Sequence, residues 1–367
     1  MIPLLLTLAS TQYQESDQLK TMLSNGSIIY CEKRPAPYVS VQLILSNREI
    51  PDQPNTYGYR HLLEHIVARS IPGHDFEIET AGGFLFASTS RDWLKFEWRL
   101  PPDKIGLAFA GMSRFLANCG ATDAAIKREA SAITKEIALS STNELASRKA
   151  WDSVYGANGE DPVGSPESVS GAKASDLIDL WRQITRGSNV VISACGDLDQ
   201  KTFTSSCREI LSGLVTSKPG PVLGRSIDGS FGIPTLIAVP IPAINTKQGT
   251  NALVAAFGLA GRLNRPFVTY TPSIRPGLAL VGTTDPYDSI KQVVDVEDPA
   301  TIFALGRINA IEWIKSRIAT PEGAAEFNGT LLSLSPTLRP VKIAESIELA
   351  TYSEFQRSWG LIKGVAK

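Results

Sequence analysis

The chain has 367 residues, enough for two or three domains that each bury a core. Lys plus Arg number 36 and Asp plus Glu 37, and this near balance of charge argues against nucleic acid or an anionic membrane surface as a partner. Hydrophobic residues make up 43% and charged residues 20%, which is typical of a globular protein rather than a disordered one. No apolar run reaches the roughly 18 residues of a membrane-spanning helix.

Residues 1–24 are interpreted as an N-terminal tail. The stretch from Met1 to Ser10 resembles the apolar region of an export signal, but it lacks a basic flank and the usual length. The remnant of an export signal, which would place the protein in the periplasm or outside the cell, and a plain tail fit equally well.

The cysteines are scattered along the chain and form no Cys-x-x-Cys pair, so neither a metal cluster nor a redox motif is indicated. Buried free thiols are favoured over a disulfide. The cysteines are Cys31, Cys119, Cys195 and Cys207.

Predicted strands and helices follow one another through the first half of the chain. Strands rich in β-branched residues are expected at 27–33 and 38–45, a hairpin-like pair at 84–90 and 93–100, and a buried strand at 189–196. Helices are expected at 59–68, 74–81, 105–117, from 123 to about 155, at 176–186 and at 201–214. Asp123 is the expected N-cap of the longest helix.

Residues 217–230 are rich in Pro, Gly and Ser and predict a linker between a domain at 25–216 and a second at 231–367. Strands are expected beyond it at 235–239, 268–271 and 278–283. Helices are expected at 250–260, at 301–317 and over most of 343–361, with a short helix or turn at 288–293. The second half roughly repeats the order of the first, which predicts a duplicated α+β unit.

Two of the chain's three histidines fall in the sequence His61-Leu62-Leu63-Glu64-His65. Residues four apart share a helix face, so His61 and His65 can direct their imidazoles at one ion, with Glu64 close enough to reach a water on it. This is the ligand and base pattern of a hydrolytic zinc site, the inverse of His-Glu-x-x-His. The competing interpretation is a solvated helix face on which Glu64 pairs with an imidazole.

A catalytic zinc site needs a third protein ligand. Glu129 and Glu136 are two helical turns apart in the predicted helix that starts at residue 123, so they share a face. An acidic pair on a helix is ordinarily a solvated face. Beside the histidine motif, either carboxylate becomes a candidate for the third ligand.

Together these features resemble the pitrilysin-like (M16) zinc metallopeptidases, the family of the mitochondrial processing peptidase and insulin-degrading enzyme. The resemblance covers most of residues 25–200. It rests on residues 57–65, on Gly82-Gly83 leading to 87–89, on 128–129 with 135–136, on 161–169 and on 189–199. It implies an α+β fold of two related domains, each a mostly antiparallel sheet packed with helices: a zinc-binding domain at 25–216 and a shortened one at 231–367.

The resemblance implies that His61, His65 and Glu136 bind Zn²⁺ and that Glu64 is the general base. Glu129 takes the place of a supporting carboxylate that orients a ligand. The competing assignment makes Glu129 the ligand. His65 and Glu136 are 71 residues apart, slightly fewer than is usual in the family, and a trimmed loop would account for the difference.

One departure from the family concerns the edge strand that binds the substrate backbone. The family has an Asn-Ala pair there, whereas this chain has Phe86 before Ala87, followed by Ser88. Strand addition uses mainly backbone groups, so peptide binding along this strand is still expected.

A second departure concerns the C-terminal domain, where the family places an Arg and a Tyr that hold the substrate carbonyl. Arg265, or Arg262 in its place, and Tyr270 fall in the corresponding stretch, but their spacing does not match. Ordinary surface and packing roles fit these residues equally well.

The resemblance thus implies a zinc-dependent endopeptidase that hydrolyses peptides or unfolded polypeptides. Four such domains enclose a peptide chamber in the family, so this chain of two domains is expected to form a homodimer or a heterodimer with a related subunit. The alternative is a non-catalytic member that binds peptide or a partner without cutting. Such members typically lose motif residues, whereas here both histidines, the base and the third acid are present. A third interpretation is an unrelated fold with an accidental motif.

Overall fold

A computed structural model describes residues 17–47, 50–222, 224–285, 290–296 and 298–366. The signal-like stretch at 1–10 and the start of the element expected at 288–293 lie outside these described residues.

Within the described residues, the strands fall into two groups along the chain. The first group is β1 (Gln18–Met22), β2 (Ile28–Lys33), β3 (Val39–Ser46), β4 (Phe84–Thr89), β5 (Trp93–Leu100) and β6 (Val190–Gly196). The second is β7 (Gly232–Ile233), β8 (Leu236–Ile241), β9 (Pro266–Tyr270) and β10 (Gly277–Thr283).

The helices lie between and after these strands. Those of the first half are α1 (Tyr59–Ala68), α2 (His74–Thr80), α3 (Gly106–Ala117), α4 (Asp123–Ala138), α5 (Thr142–Tyr155), α6 (Pro166–Ser170), α7 (Ala174–Ile184) and α8 (Gln200–Leu211). Those of the second half are α9 (Lys247–Ala260), α10 (Ile290–Val296), α11 (Pro299–Arg317), α12 (Pro321–Leu334), α13 (Pro340–Glu348) and α14 (Tyr352–Val365).

The first sheet has the strand order β1-β2-β6-β3-β5-β4, and the second has the order β7-β8-β10-β9. Only the β2–β6 pair is parallel among the strand pairs of the described residues. The predicted α+β fold with mostly antiparallel sheets is therefore confirmed. Strand β4 lies at the edge of the first sheet, which leaves its outer backbone groups free to pair with an extended peptide.

Helix α1 forms at the predicted residues because its apolar positions recur at helical spacing. Leu62, Leu63, Ile66 and Val67 are buried in the core beneath the first sheet. The remaining face carries the two histidines and Glu64. Gly58 precedes the helix with φ +84°, and a side chain there would approach the carbonyl oxygen of Val163 to 2.9 Å.

The prediction of one helix from residue 123 to about 155 is wrong, because the chain breaks between α4 and α5. Ser141 caps α5: its hydroxyl accepts a hydrogen bond from the Glu144 backbone N–H, and the Glu144 carboxylate accepts from the Ser141 N–H at 2.6 Å. Thr122, not Asp123, is the N-cap of α4. Strand β1 and helix α12 were not predicted.

Each sheet is covered on one face by a helix from the other half of the chain. Helix α12 packs on β3 and β6 so closely that a Cβ on Gly329 would lie 2.7 Å from Ser193 Cβ. Helix α5 in turn packs on the second sheet. The residues that make this second contact are Ala150, Val154, Tyr155, Leu236, Ala238, Leu278 and Leu280. The domain bounds at 25–216 and 231–367 stay a prediction.

All four cysteines are buried and free. Burial raises the pKa of Cys31 to about 11 and of Cys195 to about 12, so both thiols are inert packing groups at neutral pH. Among the described residues, no helix combines the length and the apolar character needed to cross a bilayer.

Candidate metal centre

His61 and His65 lie one turn apart on the face of α1 that points away from the apolar core. Their ring centroids are 4.9 Å apart and the planes meet at 82°, an edge-to-face arrangement that leaves nitrogens of both rings directed at one point. Both side chains are largely buried, with 15% and 11% of their surface exposed. The prediction that the two imidazoles share a helix face agrees with this geometry.

Glu136, on α4, approaches both imidazoles from the opposite side. Its Oε2 lies 3.5 Å from Nε2 of His61 and 3.5 Å from Nε2 of His65. A tetrahedral zinc site with bonds of about 2.1 Å places neighbouring ligand atoms about 3.4 Å apart. The three atoms therefore stand at the separation that a shared zinc ion requires.

Glu64 lies beside this set, and one of its oxygens falls within 4.8 Å of the imidazole nitrogens. By that distance alone it could also be a ligand. However, Glu64 Oε2 accepts a hydrogen bond of 2.7 Å from the hydroxyl of Thr89 at the end of β4. Burial raises the pKa of Glu64, and the Thr89 hydroxyl and the charge of His61 oppose that shift only in part. A carboxyl group held in this way, next to the ligands, fits a proton acceptor better than a metal ligand.

Glu129 supports the set from the interior. Its side chain is fully buried, and Oε2 lies 3.6 Å from Nδ1 of His65. Arg69 and Arg128 both donate to this carboxylate, Arg128 Nε at 2.7 Å. These two guanidiniums give the buried carboxylate its charge-paired hydrogen bonds.

The Nδ1 atom of His65 is buried and has no hydrogen-bond partner among the described residues. A proton on Nδ1 would face the Glu129 carboxylate and leave the lone pair of Nε2 directed at Glu136. The Nδ1 atom of His61 similarly lies 3.5 Å from the carbonyl oxygen of Val163. This is the pattern in which the outer nitrogen of a ligating histidine faces an acceptor. The donor set therefore fits Zn²⁺, with the geometry favouring Glu136 over Glu129 as third ligand.

A cavity of about 340 Å³ opens from the candidate metal ligands toward the loop between β4 and β5. His61 and Glu136 line one part of it, and Arg91, Arg148 and Asp161 line another. Cavities of this size hold a small ligand or a few side chains of a peptide.

The predicted peptide-binding residues lie on β4, at the outer edge of the first sheet. Phe86 is 46% exposed, and its ring is 6.1 Å from that of Phe84. Ala87 and Ser88 continue the strand to Thr89, whose hydroxyl contacts Glu64. An exposed edge strand thus leads to Glu64, and binding of peptide along it stays a prediction.

Arg265 and Tyr270 are not brought to the candidate metal ligands in the way that the family resemblance implies. Arg265 is exposed, with a positive φ of 43°, and the ring of Tyr270 packs 5.8 Å from that of Trp313. Neither is among the described residues that line the cavity at His61 and Glu136. Their substrate-binding role stays a prediction.

Sequence reasoning did not assign a role to Thr89, Arg69 or Arg91. Thr89 belongs to the segment 87–89 that supports the family resemblance. Its place directly after Ala87 and Ser88, at the end of the edge strand, was the sequence feature that could have indicated its contact with the motif. No sequence signal marks the two arginines, because their contacts depend on how α1, α4 and the β4–β5 loop pack.

Comparison with known proteins agrees with this fold. Residues 28–154 match the family model Insulinase (Peptidase family M16). The beta subunit of the mitochondrial-processing peptidase of Dictyostelium discoideum is 22% identical over 204 residues, which cover 52% of this chain. The matched part spans only 42% of that protein, less than half of its length.

Solved structures share the fold over nearly the whole chain. A chain described as an M16-like peptidase from Alicyclobacillus acidocaldarius has a TM-score of 0.76 at 15% identity and covers 93% of this chain and 94% of its own. A protease from Helicobacter pylori has a TM-score of 0.76 at 13% identity, with 94% and 96% covered. A chain of complex III2 from Candida albicans has a TM-score of 0.72 at 15% identity, with 94% and 92% covered.

At these identities the solved structures show the fold alone, and the family model adds the match in sequence. The fold and the matched segment are those of a peptidase-like chain. Residues 28–154 thus match the M16 family in sequence, and nearly the whole chain shares the fold of M16-like peptidases, which agrees with the resemblance seen in the sequence.

Proposed function

We propose that the protein is a zinc-dependent endopeptidase that hydrolyses peptides or unfolded polypeptides. The observation that carries this proposal is the position of Glu136 Oε2, 3.5 Å from Nε2 of both His61 and His65. Two imidazoles and one carboxylate meeting at this distance form the three-ligand set of a catalytic zinc site.

His61, His65 and Glu136 would hold the ion, and Glu129 would keep the ring of His65 oriented toward it. When bound, zinc lowers the pKa of water and stabilises negative charge on a carbonyl oxygen. Glu64 takes a proton from the attacking water through the oxygen that Thr89 leaves free, and then delivers that proton to the leaving amine. The backbone of β4 would align an extended peptide along the sheet edge, so that its scissile bond lies beside Glu64.

We further propose that the active unit contains two chains, either two copies of this one or this chain and a related subunit. The named relatives support this proposal, because one is a beta subunit and another is a chain of complex III2. A second chain could supply the Arg and Tyr that hold the substrate carbonyl, because neither Arg265 nor Tyr270 is among the described residues that line the cavity.

That same lack favours a second candidate function. A subunit that binds peptide or a partner protein without cutting would need the edge strand β4 and the cavity beside it. It would not need the Arg and Tyr that hold the substrate carbonyl. It would retain its fold and bind extended peptides on β4, and Glu64 would have no catalytic role.

The experiment compares wild type with Glu64→Gln for turnover of a pool of unfolded peptides and for zinc content. We expect wild type to cleave, and Glu64→Gln to keep one zinc per chain while turnover falls by about 10²-fold or more. Glu79→Gln is the matched control. It makes the same Glu-to-Gln change at an exposed position on α2, away from the candidate ligands. Equal turnover in wild type and Glu64→Gln would rule out the proposed base. Zinc binding without cleavage, alone or with the co-purifying partner, would favour the non-catalytic subunit.

A further inference from the structure

A cluster of five charged side chains lies where the two halves of the chain meet. Arg91 and Asp92 come from the loop between β4 and β5, Glu160 follows α5, Arg225 lies in the linker, and Arg275 precedes β10. Asp92, Glu160, Arg225 and Arg275 are each 5% exposed or less, and Arg91 is half-buried. We call these five residues the arginine cluster.

The charges in the arginine cluster do not balance. Arg275 binds Asp92 at 2.6 Å and Glu160 at 2.7 Å, and Arg225 lies 3.2 and 3.3 Å from the same two carboxylates. Three guanidiniums therefore face two carboxylates, and both carboxylates are already engaged by the other two arginines. Among the described residues, no carboxylate oxygen lies within ion-pair distance of Arg91. The surplus positive charge is that of Arg91.

The protein holds the Arg91 guanidinium in a fixed position despite that surplus. Its Nε donates a 2.7 Å hydrogen bond to the carbonyl oxygen of Gly159, and its plane lies over the Trp151 ring at 3.8 Å. Burial, and then the neighbouring charge of Arg225, lower the pKa of Arg91. The two Nη groups make no hydrogen bond with a described residue, and neither is a fully buried unsatisfied atom. A half-buried cation with unused donors calls for an anionic ligand.

Arg91 lines the cavity of about 340 Å³ that begins at His61 and Glu136. The other guanidinium in that cavity, Arg148, is already bound to Asp161 at 2.5 Å and to the Gly164 carbonyl at 2.9 Å. Of the described lining residues, Arg91 is thus the cation left to receive a ligand that enters from the metal-binding residues.

We propose that Arg91 binds a carboxylate of the substrate peptide and so determines which peptides the site accepts. This inference rests on the proposed peptidase site, since it places the carboxylate in the cavity that adjoins the scissile bond. The carboxylate is either an Asp or Glu side chain or the C-terminal carboxylate of the peptide. A planar guanidinium binds a carboxylate through two parallel hydrogen bonds, a geometry that a lysine cannot supply.

The test measures peptide binding in the inert Glu64→Gln protein by fluorescence anisotropy. The probes are labelled peptides in which Gln is replaced by Glu at one position at a time, each made with a free-acid and an amidated C-terminus. We expect one carboxylate position to bind about 10–100-fold more tightly than its neutral counterpart, as for a hydrogen bond to a charged group. A preference at an internal position identifies a side-chain carboxylate, and a preference for free acid over amide identifies the terminus.

The variant Arg91→Gln, made in the same Glu64→Gln protein, should remove this preference while neutral peptides bind as before. Arg91→Lys should restore only part of it. Lys149→Gln is the matched control, because it removes one positive charge from an exposed site on the neighbouring helix α5 and should leave the preference intact. Equal weakening of acidic and neutral peptides by Arg91→Gln would assign Arg91 a structural role and overturn the inference.

The outcomes for the two proposals are separable. If wild type cleaves neutral peptides but no carboxylate position gains affinity, the inference on Arg91 is wrong and the peptidase stands. If nothing is cleaved but an acidic peptide binds more tightly and Arg91→Gln abolishes that gain, the peptidase is wrong and the inference stands. Binding of neither acidic nor neutral peptides overturns the inference.

Discussion

Glu129 Oε2 lies 3.6 Å from Nδ1 of His65, on the side of the imidazole opposite Glu136. One ring thus faces a carboxylate with each of its nitrogens: the buried carboxylate of Glu129 at Nδ1 and the half-exposed carboxylate of Glu136 at Nε2. This relationship predicts different outcomes for the two glutamates. Glu129→Gln should weaken zinc affinity about 10–100-fold, because the supporting partner is lost and the ligands remain. Glu136→Gln should lose a ligand and hold no zinc at the same concentrations. Competition with a chelator measures both affinities, and a complete loss of zinc only in Glu129→Gln would exchange the two roles.

The hydroxyl of Thr89 holds the carboxylate of Glu64, the proposed general base. Thr89→Val keeps the shape of the side chain but removes the 2.7 Å hydrogen bond to Glu64. We expect kcat to fall about 10–100-fold, as for a lost hydrogen bond to a charged group, with zinc content unchanged. Thr89→Ser restores the hydroxyl and is the control, so its kcat should stay near that of wild type. Equal kcat in the Val and Ser variants would show that the hydroxyl does not position the base.

The arginine cluster predicts acid sensitivity. Burial by itself would raise the pKa of Asp92, but Arg225 and Arg275 outweigh it and hold that pKa well below the usual range. A depressed folded-state pKa contributes stability that is present above the unfolded-state value of about 3.9 and is lost as the pH falls below it. Urea unfolding at a series of pH values should therefore show a fall in the free energy of unfolding below about pH 4.

The same experiment on Arg275→Met should give a protein that is less stable by about 3–5 kcal/mol at neutral pH, because two buried carboxylates lose a partner. Its free energy of unfolding should also depend less on pH below about 4. Arg182→Met is the control: Arg182 and its partner Asp179 are both exposed, so about 0–1 kcal/mol is expected there. A stability of Arg275→Met within that control range would contradict the structural role of the cluster.

The contact between α12 and the first sheet depends on Gly329. A Cβ at this position would lie 2.6 Å from Ile44 Cδ1 and 2.7 Å from Ser193 Cβ, both closer than packed atoms allow. Gly329→Ala should therefore lower the free energy of unfolding by about 1–3 kcal/mol. Gly360 in α14 has no neighbour within 4 Å of such a Cβ, so Gly360→Ala should be neutral or stabilising by up to about 1 kcal/mol. Thermal unfolding of both variants checks the contrast, and equal shifts would contradict it.

The sequence was sufficient to predict the helices and strands whose apolar residues recur in a regular pattern. The bounds of α1 follow from its apolar spacing and from Ile71-Pro72-Gly73 after it, and the ligand residues follow from the family motif. The distances at the site did not follow, because a gap of 71 residues says nothing about how α4 packs on α1. The pairing of Glu129 with Arg69 could not be predicted for the same reason, because it joins residues that are 60 apart in the chain.

The missed helix α12 shows a physical limit of pattern reading. Most of its residues are buried on all sides, so it has no polar face from which a helical period could be recognised. Its start was marked all the same, by Thr320 as N-cap followed by Pro321 at the first helical position. The break between α4 and α5 was also marked, by the Ser141 and Glu144 capping box.

The cover that α12 provides has a consequence for the order of events on the ribosome. The last strand of the first sheet ends at Gly196, whereas its covering helix ends at Leu334, 138 residues later. At roughly 5–20 residues per second, translation leaves the apolar side chains on that face, such as Ile44 and Val191, without their partner for about 7–28 s. A nascent chain of this protein therefore carries an uncovered cluster of apolar side chains on that face through much of its synthesis, and a chaperone that shields apolar surface would act there.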